Sequence, residues 1–219
     1  MLSKAFSWLS QGFELFKQAG FIFVFQTLFI FLTIVVSYLM KIFVLSVFLY
    51  VIQLLLTAGV FISFDNVKKS KKITFDNLFD GFSNNLSNLI TLSIIFLLCS
   101  LVVSYFLVQF VNINDVATSF KHIDSKNYAP ISFIMLVDIV VNFVLMLAIP
   151  FVAIQKLNVF KAIKESIIVC VKNLIPLIFL LIIYFVLAIL ATFSIIGWLV
   201  LFPVLIGSIY TIFKENYSM

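Results

Sequence analysis

The segment VFKAIKESIIVCVKNLIP, residues 159–176, lies between two long apolar runs and differs from both of them. Lysines and a glutamate are interspersed with apolar residues that recur at the spacing of one helix face: Phe160, Ile163, Ile167, Val171 and Leu174. An apolar stripe beside a polar face predicts an amphipathic helix that lies flat at the level of the lipid headgroups. The segment therefore indicates a membrane protein with an interfacial helix between two spans.

The composition of the whole chain supports this interpretation. Of its 219 residues, 64% are hydrophobic and only 11% are charged. A soluble domain is about half apolar and about a quarter charged. A chain of this size cannot bury so much hydrocarbon within itself, so we expect an integral membrane protein.

Six stretches are long and apolar enough to cross a membrane as helices. A bilayer core of about 30 Å requires ~20 residues in a helix. The stretches that meet this length fall at residues 20–40, 42–64, 88–111, 130–154, 173–192 and 195–213. The first span is longer than the core of a signal peptide and no cleavage site follows it, so we expect it to remain in the mature protein.

The placement of lysine predicts the orientation of these spans. With six spans, both termini and the loops at 65–87 and 155–172 share one side, which carries eleven lysines against three on the other. Because lysine-rich loops face the cytoplasm, we expect both termini there. Several lysines on this side are expected to contact lipid headgroups: Lys68, Lys69, Lys71, Lys72, Lys161, Lys164 and Lys172.

The chain has an internal repeat of amphipathic segment and transmembrane hairpin. A shift of 85 positions aligns the quoted segment with TFDNLFDGFSNNLSNLITL, residues 74–92. The N-terminal segment has the same design, with an apolar stripe formed by Leu2, Phe6, Leu9, Phe13 and Phe16. We therefore predict an all-α fold, a polytopic membrane bundle of six helices in a single domain over residues 1–219. Its three repeat units fall at about 1–64, 73–154 and 158–213.

Several short motifs suggest a family: GFELF (12–16), TAGVFI (57–62), LFDGF (78–82), KAIKES and VKNLIP (161–176) and GWLVLFPVLIGSIY (197–210). Together they resemble an uncharacterised family of bacterial multi-pass inner-membrane proteins. More distantly, the chain is similar to the membrane domain attached to some glycerophosphoryl diester phosphodiesterases. The resemblance implies a location in the bacterial inner membrane. It brings no catalytic residues, and the soluble catalytic domain of the phosphodiesterase has no counterpart in this sequence.

The sequence offers little for catalysis, metal binding or cofactor binding. The single histidine, His122, lies near Asp115 and Asp124, a set that could hold a metal ion, but we interpret it as a solvated loop residue. Cys99 and Cys170 form no CxxC motif and are interpreted as packing residues. All fourteen basic residues are lysines, so the bidentate contacts that arginine makes to nucleic acid are missing. We expect no enzymatic activity, no cofactor, no metal and no nucleic-acid partner.

Asp138 is the carboxylate that the sequence places well inside a span. An ionisable residue there is costly and is by default a functional candidate. Asn142 follows one helical turn later, and polar residues along the second and third spans could face the pair: Ser46, Tyr50, Gln53, Thr57, Ser100 and Ser104. Such a polar seam could pass a proton or hold a polar headgroup. The alternative interpretation is ordinary hydrogen bonding between helices.

Two functional hypotheses follow from these patterns. The first is a non-catalytic accessory or scaffold protein that contacts membrane lipids and a membrane or cytoplasmic protein through its interfacial helices. The second is a carrier or binder of a lipid or small amphiphile that uses the polar seam around Asp138. The sequence does not indicate the oligomeric state.

Overall fold

The structure is a computed structural model that describes residues 2–40, 42–110 and 128–217. Over these residues the chain is helical, which confirms the all-α prediction, and six helices are long and apolar enough to cross a membrane. The elements are α1 (Leu2–Gln18), α2 (Gly20–Met40), α3 (Phe43–Lys68), a 3-10 helix (Phe75–Phe82), α4 (Leu86–Phe110), α5 (Tyr128–Ala153), α6 (Val159–Lys172), α7 (Leu174–Ala191) and α8 (Ile195–Tyr217).

Two of the membrane helices are longer than the sequence predicts. We predict ends at residues 64 and 213, whereas α3 continues to Lys68 and α8 to Tyr217. Each helix continues past a charged residue, and these residues pair with each other, since Lys214 Nζ lies 2.9 Å from Asp65 Oδ1. Because the two charges are compensated, both helices extend beyond their apolar stretches.

The six long helices form three hairpins around a central group of three. The hairpins are α2–α3, α4–α5 and α7–α8, and in each of them the two helices contact one another. The second helices of the hairpins, α3, α5 and α8, also contact each other. The first helices lie outside this central group, with α2 also touching α8 and α4 also touching α3.

Each segment that the sequence places at the membrane interface packs on the second helix of a hairpin. The 3-10 helix packs on α3 and α6 packs on α5, in both cases the hairpin helix that precedes it in the chain. Helix α1 precedes every hairpin and packs on α8, the last helix. This contact joins the two ends of the chain and gives the contacts a threefold pattern.

Glycines allow two of these contacts to become very close. A Cβ atom at Gly12 of α1 would lie 2.6 Å from the backbone nitrogen of Ser208 in α8. A Cβ atom at Gly59 of α3 would lie 1.9 Å from the carbonyl oxygen of Leu78, and one at Gly81 would lie 2.0 Å from that of Leu55. Only glycine fits at such contacts, so the backbones of the paired elements touch directly.

The second of the three segments that the sequence places at the membrane interface differs in structure from the prediction. The repeat predicts one amphipathic helix leading into the third span, whereas the structure has the 3-10 helix, a break, and α4 from Leu86. Asn85 in the break has a φ of 57°, which a continuous helix cannot contain. Its side-chain amide donates hydrogen bonds of 3.2 Å to the carbonyl oxygens of Val152 and Leu157. These bonds fix the break against the end of α5.

The two helices that the sequence predicts at the membrane interface, α1 and α6, pack on the spans mainly through residues outside their large apolar stripes. Helix α1 buries Ala5, Trp8, Gly12, Leu15 and Phe16, and α6 buries Val159, Ala162, Ser166 and Val169. Most of the large side chains of the predicted stripes stay open, and Phe6 is 51% exposed and Phe160 75% exposed. The smaller residues permit close packing on the spans, so the large apolar side chains remain available to another apolar medium.

The core lies toward one end of the bundle, where α3, α5 and α8 finish and most lysines are found. The buried residues of α5 all fall within 145–153, and those of α4 lie in its first half. Aromatic rings link the helices at this level, with Phe23 stacked on Phe64 at 4.1 Å and Phe151 against Phe213 at 4.9 Å. We call this end the lysine-rich face.

Candidate functional site

The structure brings together only part of the predicted polar seam. The Asn142 side-chain amide donates a hydrogen bond of 2.7 Å to Asp138 Oδ1 on the same helix. Both residues are half-buried on α5. Asp138 and Cys99 of α4 lie within electrostatic range of the Tyr50 hydroxyl on α3. The part of the predicted seam that comes together is thus Asp138 and Asn142 of α5 with Tyr50 of α3.

The other predicted seam residues have local partners or open positions. The Thr57 hydroxyl donates to the Gln53 carbonyl oxygen at 2.8 Å, within α3. The Ser46 hydroxyl donates to Ile42 at 3.1 Å and toward Ser37 of α2 at 3.4 Å. Ser100 and the Gln53 side chain are half-buried, and Ser104 is exposed on α4. For these residues, participation in a seam remains a prediction.

The lysines that are predicted to contact headgroups are all exposed. Three lie on α6 and four at or just after the end of α3: Lys161, Lys164, Lys172, Lys68, Lys69, Lys71 and Lys72. Their side chains lie on the surface of the lysine-rich face and not in its buried interior. Contact with lipid remains a prediction for all seven.

A buried carboxylate at the lysine-rich face was not identified from the sequence. Asp65 of α3 is only 5% exposed and accepts a hydrogen bond of 2.9 Å from the Tyr210 hydroxyl of α8. Lys214 of α8 lies 2.9 Å from one carboxylate oxygen, and Lys69 of α3 lies 2.5 Å from the other. We call these four residues the Asp65 cluster. It joins two of the three central helices.

A second polar cluster joins the ends of the chain. Glu215 of α8 pairs with Lys4 of α1 at 2.9 Å and accepts a hydrogen bond from the Trp8 indole. The Lys4 ammonium group also donates to Asn173 at the start of α7 at 2.9 Å, and the Asn173 amide donates to Asn216 at 3.0 Å. We call these residues the Glu215 cluster. It connects α1, α7 and α8.

An open cavity separates the polar face of α1 from the last turns of α3 and α8 at the lysine-rich face. Its volume is about 850 Å³, and members of both clusters line it, including Lys4, Tyr210, Lys214 and Glu215. The carboxylates beside it already accept hydrogen bonds from ammonium, hydroxyl or indole groups. These carboxylates are engaged by groups of the helices around the cavity, so the arrangement is suited to holding helices together.

A signal for the Asp65 cluster exists in the sequence. Asp65 and Lys69 are spaced i, i+4, as are Tyr210 and Lys214, so each helix presents a polar pair on one face. The prediction that the second span ends at residue 64 placed Asp65 in a solvated loop. A prediction that extended the second span by a few residues would have placed Asp65, like Asp138, within a predicted span.

Cys170 on α6 has the properties of a packing residue. Burial raises the pKa of its thiol to about 11, although a hydrogen bond with Ser166 acts in the opposite direction. The thiolate is the reactive form of cysteine, so this thiol is a weak nucleophile at neutral pH. It lies on the same helix as Ser166, whose hydroxyl donates a hydrogen bond of 2.5 Å to the Val144 carbonyl oxygen of α5.

Metal binding has no support in the part of the chain that the structure describes. No group of three or more His, Cys, Asp or Glu side chains among residues 2–40, 42–110 and 128–217 could hold a metal ion. His122, Asp115 and Asp124, which the sequence brings close together, lie outside those ranges.

Comparisons with known proteins leave the family open. No protein-family model, no curated protein and no solved structure matches the chain. The resemblance to bacterial inner-membrane proteins and to the phosphodiesterase membrane domain therefore remains a prediction. The six long apolar helices show the class to which the chain belongs, a multi-pass integral membrane protein with an all-α bundle.

Proposed function

We propose that the chain is a non-catalytic accessory or scaffold protein of the bacterial inner membrane, with both termini in the cytoplasm. In this proposal its lysine-rich face receives a protein partner. The observation that carries the proposal is the way this face is built. The buried carboxylate of Asp65 and the half-buried one of Glu215 form ion pairs that connect α1, α3 and α8. A hydrogen bond from Lys4 to Asn173 adds the start of α7, and seven further lysines of this face are exposed.

Two properties make such a face suitable for docking. Direct backbone contacts at Gly12 and Gly59 restrict the movement of α1 and the 3-10 helix on the spans beneath them. A preorganised surface loses little conformational entropy when a partner binds. Exposed lysines add long-range attraction to an acidic partner, which raises the rate of association.

Helix α6 is the element of this face that we assign to the partner. Phe160 and Val171 are 75% and 70% exposed, and exposed Lys161 and Lys164 stand beside them. Aromatic anchors next to charged residues are typical of binding surfaces. Since α6 also packs closely on α5, it presents these side chains on a fixed support.

Affinity purification in mild detergent tests this proposal. A protein that co-purifies stoichiometrically with the wild type should be lost from the double variant Lys161→Glu/Lys164→Glu. The matched control, Lys71→Glu/Lys72→Glu, changes two other exposed lysines of the same face and should retain the protein. If neither variant changes the co-purified proteins, or if none is stoichiometric, the scaffold proposal is wrong.

A second candidate function is a carrier or binder of a lipid or amphiphile. The observation that favours it is the group formed by Asp138, Asn142 and Tyr50. This group lies outside the buried core, toward the end of the bundle opposite the lysine-rich face. Asp138→Asn retains the hydrogen-bonding shape and removes the charge. An unchanged lipid composition and unchanged growth in that variant would leave the carrier hypothesis without support.

A further inference from the structure

A cavity at the joint between α1 and α2 is distinct from the site described above. Its volume is about 790 Å³, within the range of small-molecule sites, and it faces the segment that follows α3. Its polar lining is formed by Lys17, Gln18, Ser70, Lys71, Lys72 and Thr74. The cavity therefore lies at the edge of the lysine-rich face, where two candidate spans, α2 and α3, have their ends.

The charge of this cavity is positive. Three lysines line it and no carboxylate does. Lys17 is paired with Glu14 at 2.7 Å, but both side chains are at least half exposed, which weakens that pair. Among the described residues, neither Lys71 nor Lys72 makes an ion pair. The cavity is thus complementary to an anion such as a phosphate group.

The two lysines are carried by an ordered turn. Ser70 has a φ of 56°, and its backbone nitrogen donates to the Val67 carbonyl oxygen at 2.9 Å. The next nitrogen, that of Lys71, donates to Asn66 at 2.9 Å, which closes the end of α3. Because the backbone is held in this way, the lysine side chains start from fixed positions beside the cavity.

The remaining lining is apolar and continues toward the membrane. The joint residues Ala19 and Gly20 and the side chains of Phe21, Ile22, Val67 and Ile73 complete the cavity. Phe21 is 77% exposed, and its ring packs on that of Phe25 at 4.6 Å along α2. A free phosphate would make no use of these exposed rings. An amphiphile with an anionic head and a hydrocarbon chain would use both parts of the surface.

We propose that this cavity binds one anionic phospholipid, with its phosphate at Lys71 and Lys72 and an acyl chain along Phe21 and Phe25. The site selects anionic over zwitterionic headgroups because no carboxylate lines it to attract a choline or ethanolamine group. It does not depend on the protein partner assigned to α6, since the two sites use different lysines.

Native mass spectrometry of the delipidated protein in detergent tests the site. With dioleoyl-phosphatidylglycerol as the probe, we expect one retained lipid, and weaker retention of dioleoyl-phosphatidylcholine. Lys71→Gln/Lys72→Gln should weaken phosphatidylglycerol binding about 30-fold, since each lysine near an anionic headgroup contributes about fivefold. The matched control, Lys161→Gln/Lys164→Gln, removes two exposed lysines that are predicted to contact the surrounding lipid but do not line the cavity. The affinity for the one retained lipid should therefore stay within about twofold.

Two further comparisons separate the possible sources of the phosphate group. Phe21→Ala should weaken phosphatidylglycerol binding, whereas Phe185→Ala, at another exposed phenylalanine of a span, should not. Glycerol 3-phosphate, which has no acyl chain, should not raise the Tm of the delipidated protein.

A higher Tm with glycerol 3-phosphate alone would show a site for a soluble phosphate. Equal losses of phosphatidylglycerol affinity in the two double-lysine variants would show diffuse electrostatic attraction. Either result, or equal retention of the two lipids, would overturn the proposal.

Discussion

At the scale of single residues, Asp65 shows how a charge can be placed among buried groups. Its carboxylate is almost completely buried, but the two lysines that pair with it keep part of their side chains in contact with solvent. The Tyr210 hydroxyl supplies a further donor. The ion pairs are thus neither fully buried nor fully exposed to solvent. Their contribution to the free energy of unfolding lies between that of a surface ion pair and that of a buried one.

We expect Asp65→Ala to destabilise the protein by about 2 kcal/mol, because the buried Tyr210 hydroxyl loses its hydrogen bond to Asp65 and the ion pairs of Asp65 are removed. Thermal unfolding in mild detergent should show this as a lower Tm. Asp76→Ala is the control, since Asp76 is an exposed carboxylate in the nearby 3-10 helix, and its effect should stay within about 0.5 kcal/mol. Equal Tm values for the two variants would contradict the role given to the Asp65 cluster.

The residue scale is also where prediction from the sequence is weakest. Hydropathy identifies Asp138 because apolar residues surround it on both sides, whereas Asp65 stands at the end of an apolar run. Whether such a residue is solvated or buried depends on Tyr210 and Lys214, which lie about 145 positions away in the chain. The i, i+4 spacing marks a polar pair on each helix, but no local pattern shows that the two pairs meet.

At the scale of elements, α1 and α6 show that the buried face of a helix need not be its most apolar one. The sequence predicts amphipathic helices in the N-terminal segment and within residues 159–176 from large apolar side chains. The structure has α1 (Leu2–Gln18) and α6 (Val159–Lys172) there, and Leu174 of the predicted stripe belongs to α7. The faces that pack on the spans instead carry small residues such as Ala5, Gly12 and Ala162. A periodic stripe shows where a helix is amphipathic, but close packing in a membrane depends on small side chains that hydropathy scores poorly.

Gly59→Ala should disturb one such contact in particular. The added methyl group would lie 1.9 Å from the Leu78 carbonyl oxygen, so the 3-10 helix must move away from α3, at a cost of about 1–3 kcal/mol. A lower Tm and faster proteolysis between residues 69 and 85 would report this displacement. Gly20→Ala is the matched control, because its Cβ would meet only the Phe16 ring, at 3.5 Å. If both variants unfold alike, the 3-10 helix does not pack on α3 as described.

At the scale of the whole molecule, the threefold contact pattern could be predicted only in part. Span number and the positions of the three hairpins follow from length and hydropathy, because the bilayer thickness fixes how many residues one crossing needs. The order in which hairpins surround the central helices does not follow from periodicity. In particular, the contact of α1 with α8 joins residues about 200 positions apart and rests on Gly12, Trp8 and Glu215.

Helix α1 packs on α8 in the same way that the 3-10 helix packs on α3 and α6 packs on α5. The latter two each follow the hairpin on which they pack, whereas α1 precedes its hairpin in the chain. In those two cases, five to six residues connect the hairpin helix to the segment that packs on it, Lys69–Thr74 and Ile154–Asn158. Lys4 pairs with Glu215, so the beginning of α1 already lies beside the end of α8. Helix α1 is therefore placed as if it followed α8 rather than preceded α2.

A circular permutant provides the test at this scale. If the chain begins at Ala19 and residues 2–18 follow residue 217 through a linker of about six residues, α1 should still pack on α8. Trp8 is fully buried, so in a Trp198→Phe background its fluorescence should be equally blue-shifted in the natural and permuted chains. Adding Gly12→Leu to the permutant should expose Trp8 and shift its emission to the red, because the new side chain meets the Ser208 backbone. A permutant whose Trp8 is already exposed without that substitution would show that α1 stays on α8 only because it is covalently joined to α2, and the threefold arrangement would then not be intrinsic to the packing.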